Sequence, residues 1–170
     1  MLGEPVKKTI AILMAAVLAL FLFSCAQPSK KDARHIDLAD VMTRLSLYCD
    51  SRGSTVYAAS PLDLWNFYGI DAADTVQYRA KSFTGEGEGA EILLFEAKDK
   101  ASLAKIRAAL QKRLDEKLHN LLETAPGQYA LYRESRVASN GRFIRLIYSA
   151  DAKRLAGLYD DFFNRQTNKK

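Results

Sequence analysis

The sequence predicts an α+β fold: two N-terminal helices followed by a ββαββα unit, with one antiparallel sheet and helices packed on it. Three observations predict it. Residues 75–83 alternate, with Val76, Tyr78 and Ala80 on one side and Gln77, Arg79 and Lys81 on the other, which is the pattern of a strand with one wet face. Residues 91–97 are apolar on both sides through Ile92, Leu93, Leu94 and Phe95, which marks a more central strand. Asn140-Gly141 separates residues 135–139 from residues 142–149, a hairpin signal in which both central residues take positive φ.

The first helix begins at Ile36-Asp37-Leu38-Ala39-Asp40-Val41. Asp37 can cap it, Asp40 sits in the first turn, and Ile36 with Val41 can form a hydrophobic staple. Leu38, Val41, Met42, Leu45 and Cys49 then recur at three- and four-residue steps, so Cys49 reads as a small buried hydrophobe rather than a reactive nucleophile. Residues 52–59 read as a loop. Ser60-Pro61-Leu62-Asp63 follows, with Ser60 as cap and Pro61 in the first helical position. Leu62, Leu64, Trp65 and Tyr68 fill this short helix, which Gly69 ends. Core packing is the expected use of its aromatics; the functional alternative is an exposed platform for a sugar built from Trp65, Phe67 and Tyr68.

Between the first two strands of the unit lies Thr84-Gly85-Glu86-Gly87-Glu88-Gly89. A phosphate-cradling loop needs a following helix to aim its amides, and here a strand follows, so this is a hairpin connection. Glu86, Glu88 and Glu91 make a poor calcium cage without Asp or Asn ligands. Asp99 can cap a long helix lined on one side by Leu103, Ile106, Leu110, Leu114, Leu118 and Leu121, which stops before Pro126-Gly127. A last helix from about Asp151 carries Leu155, Leu158, Tyr159, Phe162 and Phe163. Residues 91–114 and 143–163 each run from an apolar strand through an aspartate into an amphipathic helix, which places both later helices on a shared face of the sheet.

The chain of 170 residues has room for one domain plus a targeting segment, and 48% hydrophobic residues against 26% charged suffice for a real core. The net charge of +5 is spread along helices rather than gathered into a run, which argues against nucleic acid. Lys7 and Lys8 precede an apolar run over residues 9–23, about 15 residues. As a helix it would rise roughly 22 Å, short of the roughly 30 Å hydrocarbon core, so an export signal fits better than a membrane span. Leu22-Phe23-Ser24-Cys25 ends the run and resembles the lipobox of bacterial lipoproteins, with Phe23 departing from the small residue usual at its position. The resemblance implies a cut before Cys25 and lipid on its thiol; an ordinary signal peptide with an incidental cysteine is the alternative. Two or more acyl chains would anchor the protein stably to the membrane. With Cys25 lipidated, Cys49 has no internal disulfide partner. The expected organisation is a signal over residues 1–24, a lipidated tether over 25–35, one α+β domain over 36–166 and a polar tail over 167–170.

Phe67-Tyr68-Gly69-Ile70-Asp71, the strand Ala90-Glu91-Ile92-Leu93-Leu94-Phe95 with Ala97-Lys98-Asp99 after it, and Asn140-Gly141 before Phe143 resemble, together with the lipoprotein start, an uncharacterised lipoprotein family of Gram-positive bacteria defined only as a domain of unknown function. The resemblance covers nearly all of the chain after the signal. It implies an extracytoplasmic location on the cell membrane and supplies no activity, cofactor or catalytic residue.

Chemistry finds little support in the residues. A hydrolase triad needs a histidine base, and the two histidines are His35 in the tether and His119 late in the long helix. No spacing suits a metal such as zinc, and no cofactor is implied. Asp160-Asp161 and Asp115-Glu116 are adjacent on helices and read as solvated charges. Two functions of different class stand: a non-enzymatic binding or assembly module at the cell envelope, and an envelope hydrolase drawing on Asp71, Asp74, Glu91 and Asp99 brought together by folding. Convergence of these carboxylates in a deep cleft separates the two. If both later helices cover one face of the sheet, Gln77, Arg79, Lys81 and Arg145 form a cationic opposite face for an anionic envelope component or protein partner. The alternative is that the early helices cover that face.

Overall fold

The computed structural model describes residues 36–49, 55–84 and 89–168. These belong to one compact unit, His35–Lys170. The expected signal, Cys25, the tether, Glu86, Glu88 and the last two residues of the tail lie outside the described residues.

The fold is α+β, with one five-stranded antiparallel sheet and, among the described residues, five α-helices. In chain order these are α1 (Leu38–Ser46), β1 (Thr55–Ala58), α2 (Pro61–Tyr68), a 3-10 turn (Ala72–Asp74), β2 (Thr75–Thr84), β3 (Ala90–Ala97), α3 (Lys100–Thr124), α4 (Pro126–Tyr132), β4 (Arg136–Asn140), β5 (Phe143–Tyr148) and α5 (Ala152–Asn168). The strands lie side by side as β1-β2-β3-β5-β4.

Local chemistry sets the helix starts. Asp37 accepts the amide of Ala39 at 2.7 Å. Ser60 and Asp63 cap reciprocally, the Asp63 amide donating to Ser60 Oγ at 3.3 Å and the Ser60 amide to Asp63 Oδ2 at 2.8 Å. Asp99 accepts the Ser102 amide at 2.8 Å and opens α3.

The largest correction concerns layers. α3 and α5 do not share a face: α3, with α2 and α4, covers one side of the sheet, while α1 and α5 cover the other. Ile92 and Leu94 of β3 pack with Phe143 and Ile147 of β5 under Leu38, Val41, Met42, Leu45, Leu155 and Tyr159. Leu93 and Phe95 pack with Ile144, Leu146 and Tyr148 under Ile106, Leu110, Leu114 and Leu121. The physical reason is β3 itself, whose every residue from Glu91 to Ala97 is buried, so both faces need a cover.

Three smaller corrections follow from the element order and the strand register. Part of the expected loop over 52–59 is the edge strand β1, in which Tyr57 pairs with Ser82 and Ala58 with Lys81. The chain past Thr124 turns at Ala125 into α4, with Pro126 at its first position. The β4–β5 hairpin exists, yet Asn140 pairs with Phe143, so its two loop residues are Gly141 and Arg142. Only Gly141 takes positive φ there, at 57°, which gives the turn the II′ sense instead of the one with both residues positive. The last helix ends at Asn168.

Cys49 is buried against the α1–α5 layer, as its place in the stripe requires. Burial, with the nearby Asp151 carboxylate second, pushes its thiol from 9.0 up to about 11. A raised folded-state value favours the protonated thiol. The associated stability is fully present below about 9.0 and is lost as pH rises through about 11. Cys49 should therefore resist a thiol reagent at pH 8 until the domain unfolds, with labelling tracking the urea transition; rapid labelling of native protein would contradict its burial.

Candidate functional site

The C-terminal end of α2 builds a concave feature with the turn that follows it. Leu64 and Tyr68 face the core, which turns Leu62, Trp65 and Phe67 outward. Gly69, at φ 64°, stops the helix in the left-handed region that a side chain would strain. Its amide donates to the Trp65 carbonyl and the Ile70 amide to the Leu64 carbonyl, which folds Ile70 back into the core. Asp71 then caps the 3-10 turn through the Ala73 amide at 2.8 Å, and the turn delivers Asp74 to α3. Asp74 accepts Ser102 Oγ at 2.9 Å and Lys105 Nζ at 3.2 Å. These two partners, the Ser102 hydroxyl first, hold the Asp74 carboxyl below its ordinary range. The result is a cleft of about 290 Å³ lined by Trp65, Gly69, Ile70, Asp71, Asp74, Lys105 and Ile106.

The aromatic residues of α2 divide. Tyr68 is core, as expected, with its hydroxyl pushed up by burial. Trp65 and Phe67 are not: they keep 61% and 60% of their surface exposed. An eight-residue helix anchored by Leu64 and Tyr68 has its inward stripe filled by those two, so its remaining large side chains face solvent.

A second cluster lies at the other end of β3. Glu91 is buried and takes a bidentate pair from Arg113, Nε at 2.8 Å and Nη2 at 2.6 Å, with Lys117 Nζ at 3.6 Å. Arg113 also stacks over the Tyr68 ring, 4.4 Å from its centroid, and Lys117 lies 4.4 Å from that of Tyr148. This arrangement fastens the middle of α3 to the sheet.

Three of the four carboxylates of the hydrolase reading lie near one another, Asp99 sharing Ser102 with Asp74, and Glu91 does not join them. Asp71 and Asp74 share the cleft, and Asp99 caps α3, its carboxyl lowered by the Ser102 amide and hydroxyl. Glu91 stands six residues before Ala97 on β3, roughly 20 Å away along the strand. Among the described residues no group of three or more His, Cys, Asp or Glu side chains could hold a metal ion.

Gln77, Arg79, Lys81 and Arg145 do share one face, and it is not an open one, because α1 and α5 lie on it. Gln77 accepts the Leu38 amide at 3.1 Å and donates to the Ile36 carbonyl and to Glu96 Oε2, both at 2.6 Å. Glu96 is buried and also paired with Arg142. Lys81 Nζ reaches Ser46 Oγ at 3.4 Å. Arg145 makes two bonds to Asp160 on α5 at 2.5 and 3.1 Å and stacks over Tyr159, whose hydroxyl burial raises to about 12. Arg79 is exposed and donates to the Tyr78 carbonyl. Three of these four polar residues thus join the sheet to its helices.

Sequence reasoning missed Ser102, Lys105, Arg113 and Lys117. For the last two a signal existed. Two cations four residues apart on one helix repel each other, and Arg113 and Lys117 border the buried stripe of Leu110 and Leu114, where a shared anion relieves that repulsion.

The geometry defines a layered α+β domain with an aromatic, polar cleft on one helix end and a buried ionic cluster beneath the long helix. The chain belongs to the family described as Domain of unknown function (DUF4358), which it matches over residues 57–149. No curated protein and no solved structure matches it. The matched segment runs from β1 to the end of β5 and holds both the cleft and the Glu91 cluster; α1 and α5 lie outside it.

Proposed function

We propose that the protein is an extracytoplasmic lipoprotein of a Gram-positive type of envelope, held to the membrane by lipid on Cys25, and that its domain is a non-enzymatic binding module. The observation that carries the binding reading is the outward face of α2. Leu62, Trp65 and Phe67 are all exposed on this one short helix, and Trp65 lines the polar cleft; a large exposed aromatic beside a cleft is the informative departure from an ordinary surface. Glu91 stands apart from the other three carboxylates, and Asp74 and Asp99 are engaged by Ser102 and Lys105, which supports binding over hydrolysis. The anchor rests on the lipobox-like Leu22-Phe23-Ser24-Cys25. Among the described residues no helix is long and apolar enough to cross a membrane.

Two variants test the two halves of this reading. Cys25→Ala should abolish labelling by radioactive palmitate and move the protein out of the membrane fraction or leave it as a longer precursor; normal labelling would eliminate the anchor. Trp65→Ala/Phe67→Ala should lower retention on isolated cell envelopes at least tenfold. Because both side chains are exposed, its stability should stay within about 0.5 kcal/mol of the parent. Undiminished retention would remove this face as the binding surface.

A further inference from the structure

We propose that the cleft beside Trp65 is a saccharide-binding subsite, selective for sugars that bear hydroxyl and amino donors and no acidic group. The inference rests on the binding-module reading and adds the class of ligand.

A sugar ring has an apolar face of C–H groups and a rim of polar donors. The cleft offers the complement of both. Trp65 supplies a large, flat, exposed ring at its edge, anchored by a helix whose position Leu64 and Tyr68 fix from below. Asp71 and Asp74 supply acceptor oxygens on the next turn of chain, where hydroxyl and ammonium donors form charge-assisted bonds. A volume of about 290 Å³ admits a small ligand or one ring of a longer polymer.

Charge narrows the class. Lys105 sits 3.2 Å from both oxygens of Asp74 and balances it. Asp71 is exposed and, among the described residues, has no ion pair; its Oδ1 takes the Ala73 amide. The cleft therefore keeps one uncompensated negative charge. Uronates and phosphorylated sugars are repelled, neutral sugars admitted and amino sugars attracted, the attraction weakening as salt screens it. Nothing here requires Asp71 or Asp74 to titrate or react, and the site binds without chemistry.

Trp65 is the only tryptophan in the chain, so fluorescence excited beyond the tyrosine band reports this cleft alone. The full chain, in micelles of a detergent without a sugar headgroup, is titrated with a β-1,4-linked glucosamine tetramer, its N-acetylated counterpart, a galacturonate tetramer and tetralysine. Saturable shifts in emission with the first two, and none with the galacturonate, are expected. Asp71→Asn, which keeps the cap because asparagine caps as well as aspartate, should weaken the glucosamine tetramer at least fivefold and the N-acetylated one by a clearly smaller factor. No saturable shift with either glucosamine sugar overturns the proposal. So does an equal response to galacturonate, indifference of the glucosamine tetramer to Asp71→Asn, or a response to tetralysine alone, which would make the cleft a site for cationic peptides. If the sugars fail while Trp65→Ala/Phe67→Ala still loses envelope retention, the ligand class is wrong and the binding module stands. If both fail, the binding reading falls with it.

Discussion

Glu91→Gln should destabilise the folded domain by about 3 kcal/mol, the low end of the roughly 3–5 kcal/mol typical when one partner of a buried ion pair is removed. The carboxylate is the sole anion paired with both Arg113 and Lys117 among the described residues, and its side chain is 9% exposed against 26% and 24% for theirs. Glutamine keeps the shape and one acceptor, so packing is preserved and the loss reads the charge. The two cations keep some contact with water, which is why the low end of the range applies. Urea unfolding should show the midpoint falling with little change in slope. Arg113→Met in the Glu91→Gln background should recover part of the loss, with a coupling energy of about 2 kcal/mol in the double-mutant cycle. A loss below about 1 kcal/mol for Glu91→Gln would mean that the cluster is no more than a surface pair.

The Glu91 cluster also shows where a sequence stops being legible. Helices were readable because their signals are local. Asp37, Ser60 and Asp99 cap where the residues themselves say they should, and the stripes through Leu38 to Cys49 and Ile106 to Leu121 are buried as their spacing requires. The apolar character of β3 was equally plain, and it already implied two covered faces, yet the rhyme between the two strand-to-helix segments pointed to helices on one face. Pairing across the sheet decides this, and pairing is non-local. β5 lies between β3 and β4, and α5, leaving the end of β5, packs on the face opposite α3. The edge strand β1 was hidden for a related reason: four residues with exposed Val56 and Tyr57 carry no burial pattern of their own and are strand only because β2 pairs with them.

The cleft was half legible. Trp65, Phe67, Asp71 and Asp74 could be named from their types, but sequence periodicity assigned the α2 aromatics to the core, because short helices usually spend such residues there. Folding reversed this for Trp65 and Phe67 by filling the inward side with Leu64 and Tyr68. Lys105 could not be read as part of the site, since its place depends on α3 passing the 3-10 turn that carries Asp74, thirty-one residues away in sequence. The polar residues of β2 do not form the open face that was one of the two readings of them. Gln77 and Lys81 alternate as a solvated face would, and instead form bonds to α1, because polar side chains in the gap between a helix and a sheet satisfy groups that the packing leaves over.

Leu94→Ala and Leu93→Ala should cost the domain about the same, roughly 3–4 kcal/mol each, and lower its Tm by about 10 °C. The two residues are neighbours on β3 and point to opposite faces of the sheet. Leu93 lies in the layer under α3, and Leu94 in the layer under α1 and α5. Both are fully buried, so each truncation removes comparable apolar surface and leaves a comparable void. The comparison bears directly on the architecture. In a two-layer domain with one open face, Leu94 would be solvent-facing and its replacement nearly neutral, while Leu93 would keep its full effect. It bears also on the parts of the chain outside residues 57–149, because the cover over Leu94 comes from α1 and α5, which lie beyond that segment. Residues 57–149 alone should therefore expose Ile92, Leu94, Phe143 and Ile147 as one apolar face and aggregate or fail to fold, although they contain every strand residue but Thr55 and Val56. A Leu94→Ala protein as stable as its parent, beside a Leu93→Ala protein that is strongly destabilised, would show that α1 and α5 do not hold this face closed in solution.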